Sequence, residues 1–489
     1  MPPRPKVATL LAAMLLAGSA RAQLTADRTL LLYNSANPDS LAVRNMYVAA
    51  RPLVRELDLN DTLLAPGTIA RADYLARIRA KLLTYLSGTA GGVPLSQHII
   101  AIATTRGLPS RVEGANEFDI SSSWASLEAE LAVLHQNLES AGVANLPNRF
   151  NGVIRNPFFR VLGTPITNFS RTGITTQRNF SYFSPGAWRL DSATGGDIYL
   201  VCRLDAAPSV PGSGGTATAL QNVQALLNRS ANPRVDPCGV QMLLDEYGCS
   251  THLDDDGLGT LFPALDDFGR TRSIMQGAGY SVTHDTTVTW RTMASLPDQR
   301  PLLVFGTYGV NHAISGCGFD PDQGQFYPRM YTFHPASCFV SIESFNGNWM
   351  VDQVYRNSQG QVTDFIASGG TFTLGGVAEP FTFAVPDLEM LTQNLYVWGL
   401  TFAEAAYTAM PGVSWGIVPV GDPLARVTIG AGGCAGDATG DNMVSFPDLN
   451  AVLSTFGQSG SCLSGDVNRD GAVNFADLNM VLSAFGTSC

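Results

Sequence analysis

Thr29-Leu30-Leu31-Leu32-Tyr33-Asn34 is an apolar run that stops abruptly in the polar turn Ser35-Ala36-Asn37-Pro38-Asp39-Ser40. A run this short reads as a strand buried on both faces. Helical periodicity follows over 41–51, and a second strand is expected over 54–59. A second helix over 71–86 places Tyr74, Ile78, Leu82 and Leu86 on one face. His98–Thr104 is a third strand of the buried type. Strand, helix, strand, helix, strand predicts an α/β domain built on a mostly parallel sheet flanked by helices.

The same pattern resumes downstream. Residues 117–195 are rich in Asn, Ser, Arg and Phe and read as an irregular insertion. Strands are then expected over 197–204, 240–244, 301–306 and 339–344, with a helix over 219–227. Val362–Ala367, Thr371–Leu374 and a helix over 402–408 close the unit. Trp415–Leu424 forms the last strand and turn. Gly430–Gly433 is a small-residue linker. The expected division is a signal peptide at 1–22, the α/β domain at 23–429, the linker at 430–433 and a separate unit at 434–489.

That last unit contains one pattern twice. Asp466-Val-Asn468-Arg-Asp470-Gly471-Ala472-Val473-Asn474-Phe-Ala-Asp477 repeats Asp437-Ala-Thr439-Gly-Asp441-Asn442-Met443-Val444-Ser445-Phe-Pro-Asp448 at an offset of 466 − 437 = 29 residues. Oxygen donors at loop positions 1, 3, 5 and 12, with a backbone carbonyl at 7, can surround one hard cation. The expected ligands are Asp437, Thr439, Asp441, Met443 (through its carbonyl) and Asp448 in the first loop. In the second they are Asp466, Asn468, Asp470, Ala472 (through its carbonyl) and Asp477. Position 6 must turn sharply, which Gly471 does freely and Asn442 tolerates. Val444 and Val473 are expected to pair the loops through a short strand contact. Each loop runs into a helix with an apolar stripe, Leu449, Val452, Leu453 and Phe456 or Leu478, Val481, Leu482 and Phe485. Two Ca2+ ions are the expected cofactors.

The chain has 489 residues, of which 45% are hydrophobic and 15% charged, enough for a large core and more than one domain. A net charge of −11 argues against nucleic acid or an anionic membrane as partner. Arg4 and Lys6, the apolar stretch from Val7 to Gly18, and Ala20-Arg21-Ala22 match a secretory signal with its cleavage site. The mature protein is therefore expected to be exported without a transmembrane anchor. All eight cysteines follow that signal, and an oxidising compartment permits disulfides. Cys238–Cys249 is a plausible local bridge, and two of Cys434, Cys462 and Cys489 are candidates to clip the C-terminal unit.

On these residues the last 55 or so residues resemble a type I dockerin, the paired calcium-loop module that plugs secreted enzymes into cohesin-bearing scaffolds. Asp at position 12 and the lack of an entering helix carry the resemblance. It implies calcium binding, a cohesin-like or other cell-surface partner, and association with polysaccharide catabolism. Cellulosomal dockerins carry small hydroxyl residues at positions 10 and 11, whereas here stand Phe446-Pro447 and Phe475-Ala476. The larger domain resembles an uncharacterised family of exported bacterial proteins found in genomes with exosortase-type sorting. The matching stretches include Leu32-Tyr33-Asn34-Ser35, Gly107-Leu-Pro109, Ser126-Leu-Glu128-Ala-Glu130, Asn156-Pro157-Phe158, Val201-Cys-Arg203-Leu204-Asp205, Glu379-Pro380 and Val420-Gly421-Asp422-Pro423-Leu424. Its closing segment also resembles the gingipain and caspase class of cysteine peptidases, which implies a fold and no more.

A peptidase of that class needs a His after one strand and an activated thiol after its neighbour. His312 follows the 301–306 strand. The neighbouring strand ends in Ser344, and Cys338 is expected at its start. Cys317, five residues after His312, is either a nucleophile or a disulfide partner for Cys338, and the compartment favours the disulfide. Glu128 and Glu130 are alternative carboxylates for a glycosidase, although a solvated helix face accounts for them more simply. Arg203 with Asp205 suits an internal ion pair or a site edge, and Asp422 suits a turn cap. An exported calcium-binding protein is the leading reading. A hydrolase, either a cysteine peptidase using His312 and Cys317 or a glycosidase, is the alternative.

Overall fold

The computed structural model describes residues 24–113, 124–135, 154–166, 198–209, 216–246, 267–287, 289–297, 299–310, 326–353, 359–380, 384–430, 435–439, 443–460, 462–468 and 470–488. The signal-peptide segment, His312, Cys317 and Asp441 lie outside them. Ten strands form the central sheet and are numbered here along the chain. They are β1 Thr29–Tyr33, β2 Arg55–Asp58, β3 Ala101–Thr105, β4 Leu200–Leu204 and β5 Gln241–Asp245. The rest are β6 Ser281–Asp285, β7 Leu302–Thr307, β8 Phe333–Ser341, β9 Phe372–Gly376 and β10 Ile417–Val420.

Across the sheet the order is β6-β5-β7-β8-β9-β10-β4-β3-β1-β2. Every pairing is parallel except β9 with β10. Two parallel half-sheets therefore meet at that one antiparallel seam and run in opposite directions. Each half places its strands in the same sequence, second, first, third, fourth: β2-β1-β3-β4 and β6-β5-β7-β8. The carboxyl edges of the halves consequently open on opposite sides of the molecule.

Alternation explains why both faces are covered. Leu30 and Leu32 of β1 point into one apolar cluster and Leu31 into another. Met242 and Leu244 of β5 divide from Leu243 in the same way. Side chains of period two on a sheet buried on both sides require helical layers above and below. The expected α/β class with a mostly parallel sheet is the observed one. The helix Pro38–Ala50 starts three residues ahead of the expected 41, inside the polar turn, with Pro38 in its first turn and Asn37 Oδ1 accepting from Ser40 N at 3.1 Å. Gly107, at φ +90°, lies so close that an added Cβ would stand 2.4 Å from that same Asn37 oxygen.

Several expectations need correction. The described part of the insertion is ordered: Leu127–Ala132 is a helix capped by Ser126 and buried throughout. β8 begins at Phe333 and ends at Ser341, so Cys338 lies within the strand rather than at its start. The β7–β8 register jumps from Leu302↔Phe333 to Val304↔Cys338, an irregularity spanning Pro335, which has no N–H for the ladder. The strand Ser281–Asp285 and the helices Asp267–Gly277 and Leu388–Tyr396 have no counterpart in the sequence reading.

Candidate calcium loops and the carboxyl edges of the sheet

The C-terminal segment holds two helices, Phe446–Thr455 and Phe475–Ala484, each following one acidic loop. The 29-residue sequence offset becomes a structural pseudo-two-fold. Gly457 N donates to Val473 O and Gly486 N to Val444 O, each at 2.8 Å. The bridges Met443↔Ser488 and Ser459↔Ala472 repeat the pairing. Val444 and Val473 therefore do not pair with each other. Each pairs with the stretch that follows the opposite helix, because an antiparallel helix pair brings the end of one helix beside the loop of the other. Val444, Val452, Val473 and Val481 form a small core of their own.

In the second loop Asp466 Oδ2 accepts from Gly471 N at 2.9 Å and Oδ1 from Asp470 N at 3.1 Å. Asn468 Oδ1 also accepts from Asp470 N, at 2.8 Å, and Asp470 Oδ1 accepts from Ala472 N at 2.9 Å. Asp477 is fully buried and accepts from Asn468 N at 3.0 Å and Asn474 N at 2.9 Å. Gly471 has φ +85°, the left-handed turn expected at position 6.

The first loop repeats this at Asp448, which accepts from Thr439 N and Oγ1, both at 2.9 Å, and from Ser445 N at 2.8 Å. Burial works against its charge, but donors from Ser445, Thr439 and Ala438 outweigh it and hold the carboxyl below the usual carboxylate range. Thr439 is within the loop but spends its hydroxyl on Asp448. Asp437 is nearly buried, and Met443 is exposed with its backbone in the bridge to Ser488.

The donor set fits a hard cation. Asp466, Asn468, Asp470 and Asp477 place oxygen-bearing side chains at loop positions 1, 3, 5 and 12, and among the described residues no Lys or Arg pairs with Asp448, Asp466, Asp470 or Asp477. Nor, among those residues, do three or more His, Cys, Asp or Glu gather into a preassembled cluster. Like-charged carboxylates repel and here turn to backbone N–H donors instead. Facing outward, Phe446 and Phe475 are each 69% exposed. Phe446 meets Phe485 edge-on at 5.1 Å, and Phe475 meets Phe456 edge-on at 5.1 Å. With Leu453 and Leu482, also exposed, they form an apolar surface of two-fold pattern.

The larger domain presents two carboxyl edges. On the first half-sheet, Arg203 is 1% exposed and donates to Glu128 Oε1 at 3.0 Å and Asp205 Oδ2 at 3.1 Å. It also reaches the carbonyls of Leu108 and Pro109. Glu130 accepts from Ser414 Oγ at 2.6 Å and pairs with Arg71 at 3.3 Å. Glu128 and Glu130 are thus buried and ion-paired, which corrects the expectation of a solvated face and leaves neither open to a sugar. Asp422 accepts from Leu424 N as a turn cap and also holds Tyr47 Oη and Arg51. Beside this edge, Asp39, Arg106 and Thr218 line an open cavity of about 550 Å3.

On the second half-sheet, Glu343 follows β8 and is buried. Burial raises its carboxyl above the ordinary range, against donors from Tyr327 Oη at 2.5 Å and from Val310 N and Gly360 N at 3.1 Å. The next residue, Ser344, is half-buried and donates from Oγ to Glu379 Oε1 at 2.7 Å. Nothing in the spacing of residues 344 and 379 links this pair along the chain. Cys338 is a buried free thiol, so the expected bond to Cys317 is not formed, and burial pushes its pKa up to about 12. Cys238 bonds to Cys462, which replaces the expected bridge to Cys249, a residue outside the described ones.

Among the described residues, no helix is long and apolar enough to cross a membrane. No protein-family description matches the chain, and no curated protein is similar to it.

Proposed function

We propose that this chain is an exported attachment protein whose C-terminal segment is a dockerin-type module binding two calcium ions. The module docks a caspase- or gingipain-like α/β domain onto a cohesin-like or other extracellular partner, in a setting of polysaccharide catabolism. The observation that carries this reading is the pseudo-two-fold of the acidic loops, each ending in a buried aspartate that both closes the loop and caps a helix. Asp437, Asp441 and Asp448 with Thr439, and Asp466, Asn468, Asp470 and Asp477, would hold the ions, with the carbonyls of Met443 and Ala472. Calcium supplies the charge that lets these oxygens converge. The residues themselves set the loop's turn, cap the helices and hold the apolar face in register. Equilibrium dialysis of the full chain tests it. About two calcium ions per chain, the count for two such loops, is the expected result. No retained calcium would sink the reading.

A hydrolase reading has one observation in its favour, the Ser344–Glu379 contact at the carboxyl edge of a parallel half-sheet, where active sites of such sheets form. A fluorophosphonate probe that labels wild type at Ser344, and fails to label S344A, would support it. An unlabelled Ser344 in the folded protein would remove it.

A further inference from the structure

We infer that the Cys238–Cys462 bond is a calcium-gated latch: the folded second loop presents Cys462 to Cys238, and the bond then pins the C-terminal segment to one end of the α/β domain. This rests on the calcium reading proposed above.

Two connections emerge from the same spot on the α/β domain. Arg234–Val235 pairs in parallel with Thr428–Ile429, and Gly430 N donates to Val235 O at 2.9 Å. The chain thus leaves the domain beside Val235, three residues before Cys238. Cys238 is held still there. Its N–H donates to Asp236 Oδ1 at 2.9 Å, and its carbonyl accepts from Arg300 Nη1 at 2.8 Å.

Cys462 is held by the loop that follows it. It is exposed and lies four residues before Asp466, with φ +63°. A left-handed non-glycine backbone costs about 1–2 kcal/mol unless its surroundings impose it. Here Gly460 N donates to Gly471 O at 2.9 Å and Asp466 N to Leu463 O at 3.0 Å, one bond on each side of Cys462. Both depend on the second loop keeping its shape. The segment's small valine core is separate from both cores of the α/β domain, so apolar burial shared between them does not replace the bond.

Formation is thiol–disulfide exchange with a small-molecule disulfide. The Cys462 thiolate attacks one of its sulfurs and releases one thiol. The Cys238 thiolate then displaces the second, so two electrons pass to the small disulfide and the two cysteine protons end on the released thiols.

The test uses the full chain. The protein is reduced, then reoxidised in glutathione and glutathione disulfide with either millimolar calcium or chelator. The cross-linked 238–462 peptide is quantified after non-reducing digestion. Calcium should accelerate its appearance roughly tenfold, the factor that the left-handed backbone at Cys462 costs when the loop does not impose it. Asp470→Ala should remove that acceleration. Equal rates with and without calcium, or no 238–462 peptide in the protein as isolated, would overturn the latch. Calcium dialysis of Cys238→Ser separates the two ideas. Retained calcium with no rate effect defeats the latch alone, whereas no calcium in either protein defeats the calcium reading itself.

Discussion

Asp477 shows how much one side chain is asked to do. One carboxylate oxygen closes the second loop onto Asn468 N, and the other caps the following helix at Asn474 N. Asp477→Ala should lower bound calcium from about two ions to about one and cost about 1 kcal/mol from the lost cap. Dialysis and urea titration check the two effects separately. Cys338 offers a pH test. Its thiol is pushed up to about 12 by burial, against an ordinary value near 9. Because the unfolded chain loses the proton first, this group's contribution is fully present below about pH 9 and is lost as pH rises toward about 12. Urea midpoints should therefore fall more steeply with pH in wild type than in Cys338→Ala, and the native thiol should resist alkylation at pH 8.

The turn after β8 is the element on which the second carboxyl edge depends. Asn346 Nδ2 donates to Ser341 Oγ at 2.8 Å, and its Oδ1 accepts from Gly376 N at 2.6 Å. Gly376 is required there, since an added Cβ would stand 2.5 Å from Ser344 O. Asn346→Ala should cost about 1–3 kcal/mol by leaving the Gly376 N–H unpaired in a buried place, measured as a shift in urea midpoint. The short helix Leu127–Ala132 is the corresponding element on the first edge. Arg203→Met leaves the buried Glu128 without its guanidinium, while Asp205 keeps Arg106 at 2.9 Å, and the expected loss is about 3–5 kcal/mol. These two elements also mark where sequence reading weakens. Glu128 and Glu130 look solvated in a helix of mixed pattern, and only packing against β4 and the Ser414 turn makes them internal. Ser281-Val-Thr-His-Asp285 is a half-buried edge strand with little apolar signal, so periodicity alone passes over it.

For the whole molecule, calcium removal should act locally. Chelation of the full chain should lower helicity and open the 446–485 region to proteolysis, leaving the main thermal transition of the α/β domain in place. Calorimetry with and without chelator checks this, and loss of the main transition would contradict separate cores. The latch places the C-terminal segment at the amino ends of the second half-sheet, away from the edge that carries Glu343 and Ser344. A partner seated on the Phe446 and Phe475 surface would then leave that edge open.

The α/β class and the paired acidic loops were legible in the amino-acid order, because both are written in local periodicity: apolar runs alternating with amphipathic stretches, and oxygen donors at a fixed spacing repeated 29 residues on. The reversal of the two half-sheets, the burial of Arg203 with its carboxylates, the Ser344–Glu379 contact and the Cys238–Cys462 bond were decided by tertiary structure. Each joins residues distant along the chain or on separate strands, and such pairings follow from the direction and register in which strands meet, which local spacing does not encode.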